Sequence, residues 1–387
     1  MIIDIEIFGH PYHSYNYTFW SNSDLIMLFN TYCDNYDSAL HYIDGIFALH
    51  LIHDNDIEQW ITDPFGEYPI FINTVDGKIL ANFNKNDIYV PNSSYILLAD
   101  RNYDKSYHSN RMSADGAIPF ITPWKNWKVS TPSTIYTINN AKISAIKYQL
   151  IEYPNDNYID VFSNCIHELS KSRKVLIPLS AGYDSRGIYS VITGDSDIEY
   201  YRYTYGAEKE YIDSLELDSN CMPDFDGDYE SQIKNHILDM NGMGDIYYKC
   251  HNFYIQQYWN EYDILFTGDG GNEFLSKSNF NHSAIYATGD GHHYKTQANK
   301  IKTISPYCNK RFLYLSNKTG RSRYEIIHSI ICANNDKLLD FEFYSGDRLT
   351  GNKLSNFGHS FNFNTKAKYL NLYYEAMNGM SMREQDT

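Results

Sequence analysis

Twice in this chain a short, wholly apolar run stops abruptly at a glycine-bearing polar turn. Val175-Leu176-Ile177-Pro178-Leu179 runs into Ser180-Ala181-Gly182-Tyr183-Asp184-Ser185-Arg186, and Ile264-Leu265-Phe266 runs into Thr267-Gly268-Asp269-Gly270-Gly271. A strand with no polar alternation has no wet face. It belongs inside a parallel sheet with helices on both sides. The intervening sequence agrees. Gly187 to Ile192 resumes as a helix, Tyr200 to Tyr205 reads as a further strand, and Asp213 to Leu217 begins another helix. An α/β fold with a parallel sheet is therefore expected for this half.

The segment after Leu179 predicts an anion cradle. A strand-to-helix turn of small residues leaves backbone N–H groups pointing outward together, and the helix N-terminus adds roughly half a positive charge. Gly182 allows close approach of a ligand to the backbone, and Ser180 and Ser185 offer hydroxyls. Asp184 repels phosphate, so its natural partner is a cation such as Mg²⁺. The bland alternative is an ordinary strand-to-helix turn with a capping side chain. The segment is neither a Walker loop nor a dinucleotide fingerprint.

Ser180 to Ser185 resembles the S-G-G-x-D-S pyrophosphate loop of the asparagine synthetase family, with Ala181 in place of the first glycine. Phe266-Thr267-Gly268-Asp269-Gly270-Gly271-Asn272-Glu273-Phe274 resembles that family's S/T-G-[DE]-G-x-D-E-L-F segment. The resemblance implies an ATP-pyrophosphatase domain. In it Leu179, Ser180, Ala181, Gly182, Tyr183, Asp184, Ser185 and Gly268 line ATP, and Tyr205 and Gly206 border the adenine. It assigns catalytic roles to Asp184, Asp269 and Glu273, and metal binding to Asp184 and to Asn272. The last stands where the family has Asp, so it offers a carbonyl oxygen without charge.

The first ~150 residues read as β-rich. Ile2 to Phe8 alternates, Ile46 to His53 is an apolar run, and Gln59 to Thr62 leads into the turn Asp63-Pro64-Phe65-Gly66. Pro69 to Asn73 and Lys78 to Phe83 form a hairpin around Val75-Asp76-Gly77. Ser23 to Tyr32 is the one clear helix, capped by Ser21 or Ser23. Asp44-Gly45-Ile46-Phe47-Ala48-Leu49 and Asp63-Pro64-Phe65-Gly66-Glu67-Tyr68-Pro69 resemble segments of the class II glutamine amidotransferase domain, an N-terminal-nucleophile (Ntn) hydrolase-like fold. That domain uses an N-terminal cysteine, whereas this chain opens Met1-Ile2-Ile3. Unless an upstream start supplies a cysteine, glutaminase chemistry is expected to be lost and the domain to serve as a scaffold. The expected division is residues 1–152, a degenerate amidotransferase-like domain, and 153–387, the synthetase-like domain. A chain of 387 residues suits two cores.

Further helices are expected at Tyr158 to Lys171, Tyr324 to Cys332 and Lys366 to Met377. A net charge of -16 argues against general nucleic-acid binding. No run reaches the roughly 18 apolar residues of a membrane span, and six scattered cysteines without a C-x-x-C pair fit a reducing cytoplasm. His10 and His13, His50 and His53, and His292-His293 read as ordinary polar histidines before metal ligands. Asp224 to Asp228 reads as a solvated loop, and Asp213 as a surface helix residue. Arg311, Lys318, Arg321 and Arg323 form a basic stretch that reads first as solvated and second as a partner for pyrophosphate. Lys353 is a weak candidate for stabilising charge during acyl transfer.

The function implied is adenylation of a carboxylate by ATP with Mg²⁺, then attack by ammonia or an amine to give an amide, with aspartate as the acceptor in the simplest case. A homodimer is the candidate assembly. Two alternatives stay open: a relative that amidates or cyclises a specialised metabolite, peptide or modified base, and a nucleotide-binding protein without turnover.

Overall fold

The computed structural model describes residues 1–83, 122, 124–149, 152–154, 156–179, 182–194, 198, 200–204, 220–221, 234–235, 260–268, 270–275 and 291–339. The chain is mixed α/β, with antiparallel sheets first and a small parallel sheet with helices later.

The first sheet holds β1 (Ile2–Gly9), β4 (Phe47–His53), β5 (Glu58–Thr62), β9 (Thr134–Asn139) and β10 (Lys142–Lys147), in that spatial order and all antiparallel. A register shift between Ile2 and Asp4 interrupts the expected alternation of β1. It explains how Ile2 and Ile5, three apart, are both buried. Helix α1 (Asn22–Thr31) covers this sheet through Leu25 and Phe29, and its cap is Ser21, whose side chain accepts from the Asp24 N–H. Short strands β2 (Tyr12–His13) and β3 (Ile43–Asp44) pair beside helix α2 (Tyr36–Leu40). The hairpin of β6 (Phe71–Asn73) and β7 (Lys78–Leu80) turns at Gly77, which has φ +66°. β8 (Trp127–Val129) joins its other edge.

The parallel sheet has the order β13 (Asn220–Cys221), β12 (Tyr200–Thr204), β11 (Val175–Pro178), β14 (Ile264–Phe266), β15 (Lys302–Ile304). Val175, Leu176 and Ile177, like all of β14, are buried, as strands without a wet face require. Helix α3 (Tyr158–Ser170) buries Val161, Phe162, Cys165, Ile166 and Leu169 along one stripe. Helix α4 (Tyr183–Gly194) starts four residues earlier than the expected resumption at Gly187, because Asp184 and Ser185 are good first-turn residues. α5 (Gly271–Phe274), α6 (Gly291–Ala298), α7 (Lys310–Lys318) and α8 (Arg323–Asn334) follow. Among the described residues no helix is long and apolar enough to cross a membrane.

One hydrophobic core runs across the expected boundary at residues 152 and 153, joining Ile46, Phe65 and Tyr68 to Val161, Phe266, Tyr307 and Phe312. Polar groups stitch the same surface. His10 Nε2 bonds with the Ala298 carbonyl at 2.8 Å, and the Tyr17 hydroxyl donates to the Val161 carbonyl at 3.1 Å. Lys295 is buried on α6. Its ammonium donates to the carbonyls of Pro69 and Ala81 and lies 5.1 Å from the Tyr68 ring and 4.6 Å from the Phe71 ring. Burial pushes its pKa well below the ordinary lysine value.

Candidate active site at the ends of two parallel strands

In the order β13-β12-β11-β14-β15 the chain moves outward from β11 through β12 to β13, then returns to the other side as β14. The reversal falls between β11 and β14. Loops leaving the carboxyl ends of two such strands diverge and leave a crevice, the usual ligand position in an open parallel sheet. Leu179 and Gly182 to Ser185 leave β11, and Thr267, Gly268 and Gly270 leave β14. Both glycine-bearing turns singled out in the sequence therefore flank one crevice.

The two turns touch. A Cβ added to Gly268 would lie 3.0 Å from the Ser185 nitrogen, and one added to Gly271 would lie 2.3 Å from Oδ1 of Asp184. Gly270 has φ +87°, and a Cβ there would meet Cys308 Sγ at 2.5 Å. The glycines thus permit the second turn to lie against the first turn of α4.

Asp184 is the centre of this contact. Arg323, the first residue of α8, holds both its oxygens: Nε to Oδ1 at 3.1 Å and a terminal nitrogen to Oδ2 at 2.5 Å. The pair is mostly buried, at 18% and 19% side-chain exposure for Arg323 and Asp184. Burial works against the guanidinium charge, but Asp184 outweighs it and holds Arg323 above its ordinary value. Ser322 and Glu325 form a capping box that fixes the start of α8 and so the place of Arg323. Behind the loop, the Tyr307 hydroxyl donates to the Asp184 carbonyl at 2.8 Å. Gly187 makes room for it, since a Cβ there would sit 2.3 Å from that hydroxyl oxygen.

The first half of the chain supplies a wall. The Asp63 carboxylate is buried and accepts from the backbone N–H groups of Phe65, Gly66, Glu67 and Tyr68 at 2.7–3.0 Å. This turn holds the Phe65 ring 5.1 Å from that of Phe274 on α5. Nearby, buried Asp44 accepts from the Lys310 N–H at 2.9 Å. Burial pushes Asp44 and Asp63 each up to about 6, against the pull of their N–H donors, and brings Lys310 down to about 8.

An acid with a raised folded pKa binds its proton more tightly when folded. Its contribution is full below the unfolded value of 3.8 and is lost as pH rises to about 6. The stability advantage of wild type over Asp63→Asn, read from urea midpoints, should therefore be larger near pH 4 than near pH 7. A gap that widens towards neutral pH would mean that the four N–H donors outweigh burial.

Of the site residues expected from sequence, Leu179, Gly182, Tyr183, Asp184, Ser185 and Gly268 lie just beyond the carboxyl ends of β11 and β14. Ser180, Ala181, Tyr205, Gly206 and Asp269 fall outside the described residues, as do Asp213, Lys353 and the helix expected at 366–377. Asn272 and Glu273 are placed on α5 by their backbone alone. The basic stretch divides: Arg311 pairs with Asp156, Arg321 bonds Tyr158 and Ser329, Lys318 lies over Tyr314, and Arg323 reaches the site. Reading that stretch first as solvated missed Arg323, and nothing marked Tyr307 or Gly187. The S-x-x-E capping pattern starting at Ser322 locates the helix start, but not a partner 139 positions away. His50 and His53 have separate partners: His50 bonds Glu6 and Glu58, and His53 bonds Gln59.

A scan against protein-family models finds no family that matches this chain, and a search of curated proteins finds no significant match.

Proposed function

We propose that this chain is an ATP-dependent carbon–nitrogen ligase of the asparagine synthetase type. The observation that carries the proposal is the convergence of the two glycine-bearing strand ends at the sheet's reversal point, with Gly268 and Gly271 against Ser185 and Asp184. Two motifs remote in sequence meet where a nucleotide would bind.

In this reading a carboxylate oxygen of the substrate attacks the α-phosphorus of ATP, and the bond to the β,γ-diphosphate breaks with its electron pair. Ammonia or an amine then attacks the acyl carbon, AMP leaves, and the extra proton passes to solvent. The N–H groups of the first turn of α4 and the Ser185 hydroxyl hold the departing diphosphate. An uncompensated carboxylate about 4 Å from a phosphate charge would cost on the order of 4 kcal/mol at an effective dielectric near 20. Asp184 must therefore carry a cation, and the described one is Arg323. Arg323 takes one lone pair of each Asp184 oxygen, and among the described residues no group of three acidic, histidine or cysteine side chains gathers to hold a metal. Roles for Asp269 and Glu273 in organising the acid substrate, for Asn272 at a metal, and for Tyr205 and Gly206 at the adenine rest on the resemblance alone. The amidotransferase-like half acts as the wall that Phe65 and Asp63 build.

The test is pyrophosphate release from ATP and Mg²⁺ by the full chain, across a panel of carboxylates with ammonia or glutamine supplied. Release that requires aspartate and ammonia identifies an asparagine synthetase. Release with another acid identifies a specialised ligase. Nucleotide binding without release under any condition would sink the ligase reading. It would favour a binding protein without turnover, which the occupation of Asp184 by Arg323 also fits.

A further inference from the structure

We propose that His328 and Cys332, on the solvent face of α8, form a two-ligand clip for a borderline-soft divalent cation such as Zn²⁺. The clip is separate from the crevice and does not depend on how the crevice is read.

The spacing comes first. His328 and Cys332 are four residues apart, so the helix stacks them one above the other on a single face. The opposite face is held by the core, where Ile326, Ile327, Ile330 and Ile331 are buried. Both His328 and Cys332 are exposed, and Nδ1 of His328 lies 3.4 Å from the Cys332 sulfur. Among the described residues neither side chain makes another hydrogen bond or ion pair. Zinc bonds of about 2.3 Å to sulfur and about 2.0 Å to nitrogen, at a tetrahedral angle, put those two atoms about 3.5 Å apart. The pair therefore already has the bite of a zinc chelate, on a helix whose start is fixed by a capping box.

Charge favours a cation at the same place. Cys332 lies in the last turn of α8, the negative end of the helix dipole, and no basic residue stands in that turn. Asp336, also exposed, follows just past the helix. One sulfur and one imidazole nitrogen select zinc or copper over the hard ions magnesium and calcium, and water completes the coordination. On binding, the thiol S–H bond breaks and its proton passes to solvent. The sulfur bonds the metal, and Nδ1 gives the metal the lone pair that had accepted the thiol hydrogen.

The competing explanation is a plain S–H···N bond on a wet helix face. The full chain, stripped of metal and kept reduced, is titrated in excess Mg²⁺ with Zn²⁺ by calorimetry and with Co²⁺ by near-ultraviolet absorption, which reports a thiolate–cobalt bond. Wild type should take up Co²⁺ saturably with that band, and magnesium should not displace it. Cys332→Ser should lose the band, and His328→Ala should keep a weaker one. Each should bind Zn²⁺ about a hundredfold more weakly, because a chelate draws its affinity from a second ligand held at high effective concentration. Cys33→Ser, which removes the other exposed thiol described, should match wild type. All three substitutions are at exposed positions, so the metal-free melting temperature should stay close to that of wild type.

No saturable Co²⁺ uptake by wild type, or a band and Zn²⁺ affinity unchanged in Cys332→Ser, would overturn the proposal and leave the plain hydrogen bond. An unchanged affinity in His328→Ala would leave a single thiol ligand and overturn the clip equally. Should His328→Ala not fold, His328→Gln removes the same ligand and decides in its place.

Discussion

Asp184→Ala is expected to cut ATP-dependent pyrophosphate release by at least about a hundredfold while the chain stays folded. The size follows from what Asp184 touches. Its carboxylate holds Arg323, its backbone carbonyl receives the Tyr307 hydroxyl, and Gly268 and Gly271 lie against it. Without the carboxylate the guanidinium has no fixed place beside the loop, and a charge misplaced by about 1 Å is enough for a loss of this size. The stability cost should be similar in free energy to the roughly 2.7 kcal/mol of a hundredfold rate loss, on the order of 1–3 kcal/mol for a charged hydrogen-bonded pair that is partly open to water, which leaves the chain folded. Tyr307 and its bond to the backbone carbonyl are untouched by the substitution. Pyrophosphate release and thermal unfolding measured on the same preparation separate the two effects. Activity within a few-fold of wild type would remove Asp184 from the site.

Gly271→Ala should separate activity from stability even more sharply. The position opens the short helix α5 at a φ that alanine adopts without strain, so the backbone alone predicts a chain of at least equal stability. Yet the new Cβ would lie 2.3 Å from Asp184 Oδ1 and 2.7 Å from its Cγ. The carboxylate is the softer partner and must turn away, which breaks its fork with Arg323. The expected result is a melting temperature at or above that of wild type with activity lower by about tenfold to a hundredfold. Gly268→Ala is the graded companion, because its nearest contact, 3.0 Å to the Ser185 nitrogen, asks for a smaller shift. Loss of activity in step with loss of stability at Gly271 would mean that the collision is absorbed by the fold and not by the site.

Sequence was most informative where one-dimensional pattern and packing coincide. β11 and β14 read as double-sided buried strands and are so; α3 shows its stripe in sequence and buries it; Ser21 is one of two caps weighed for α1 and is the one used. The hairpin of β9 and β10 went unread for a physical reason. β10 is an edge strand with five of its six residues exposed, so it carries no hydrophobic alternation, and its turn uses Asn140 and Ala141 at positive φ instead of the Asn-Gly or Asp-Gly that marks such turns. At the site, the two glycine-bearing turns were legible because close approach restricts residue type locally. Arg323 and Tyr307 were not, since an arginine in a polar stretch and a tyrosine in a tyrosine-rich chain look ordinary until distant segments pack. Chain-local signals placed the two turns; only tertiary contact placed the cation.

The socket around Lys295 also bears on how the chain is made. Its walls, the Pro69 and Ala81 carbonyls and the rings of Tyr68 and Phe71, all belong to sequence that leaves the ribosome long before Lys295 does. The groups that line the socket are therefore already made when α6 is synthesised, and the ammonium gives up its water on entering it. A half-seated lysine has lost hydration and gained neither carbonyl nor ring, so intermediate positions are costly. The first half of the chain thus supplies a socket that the second half fills, and a chain severed between the halves would leave that socket without its lysine.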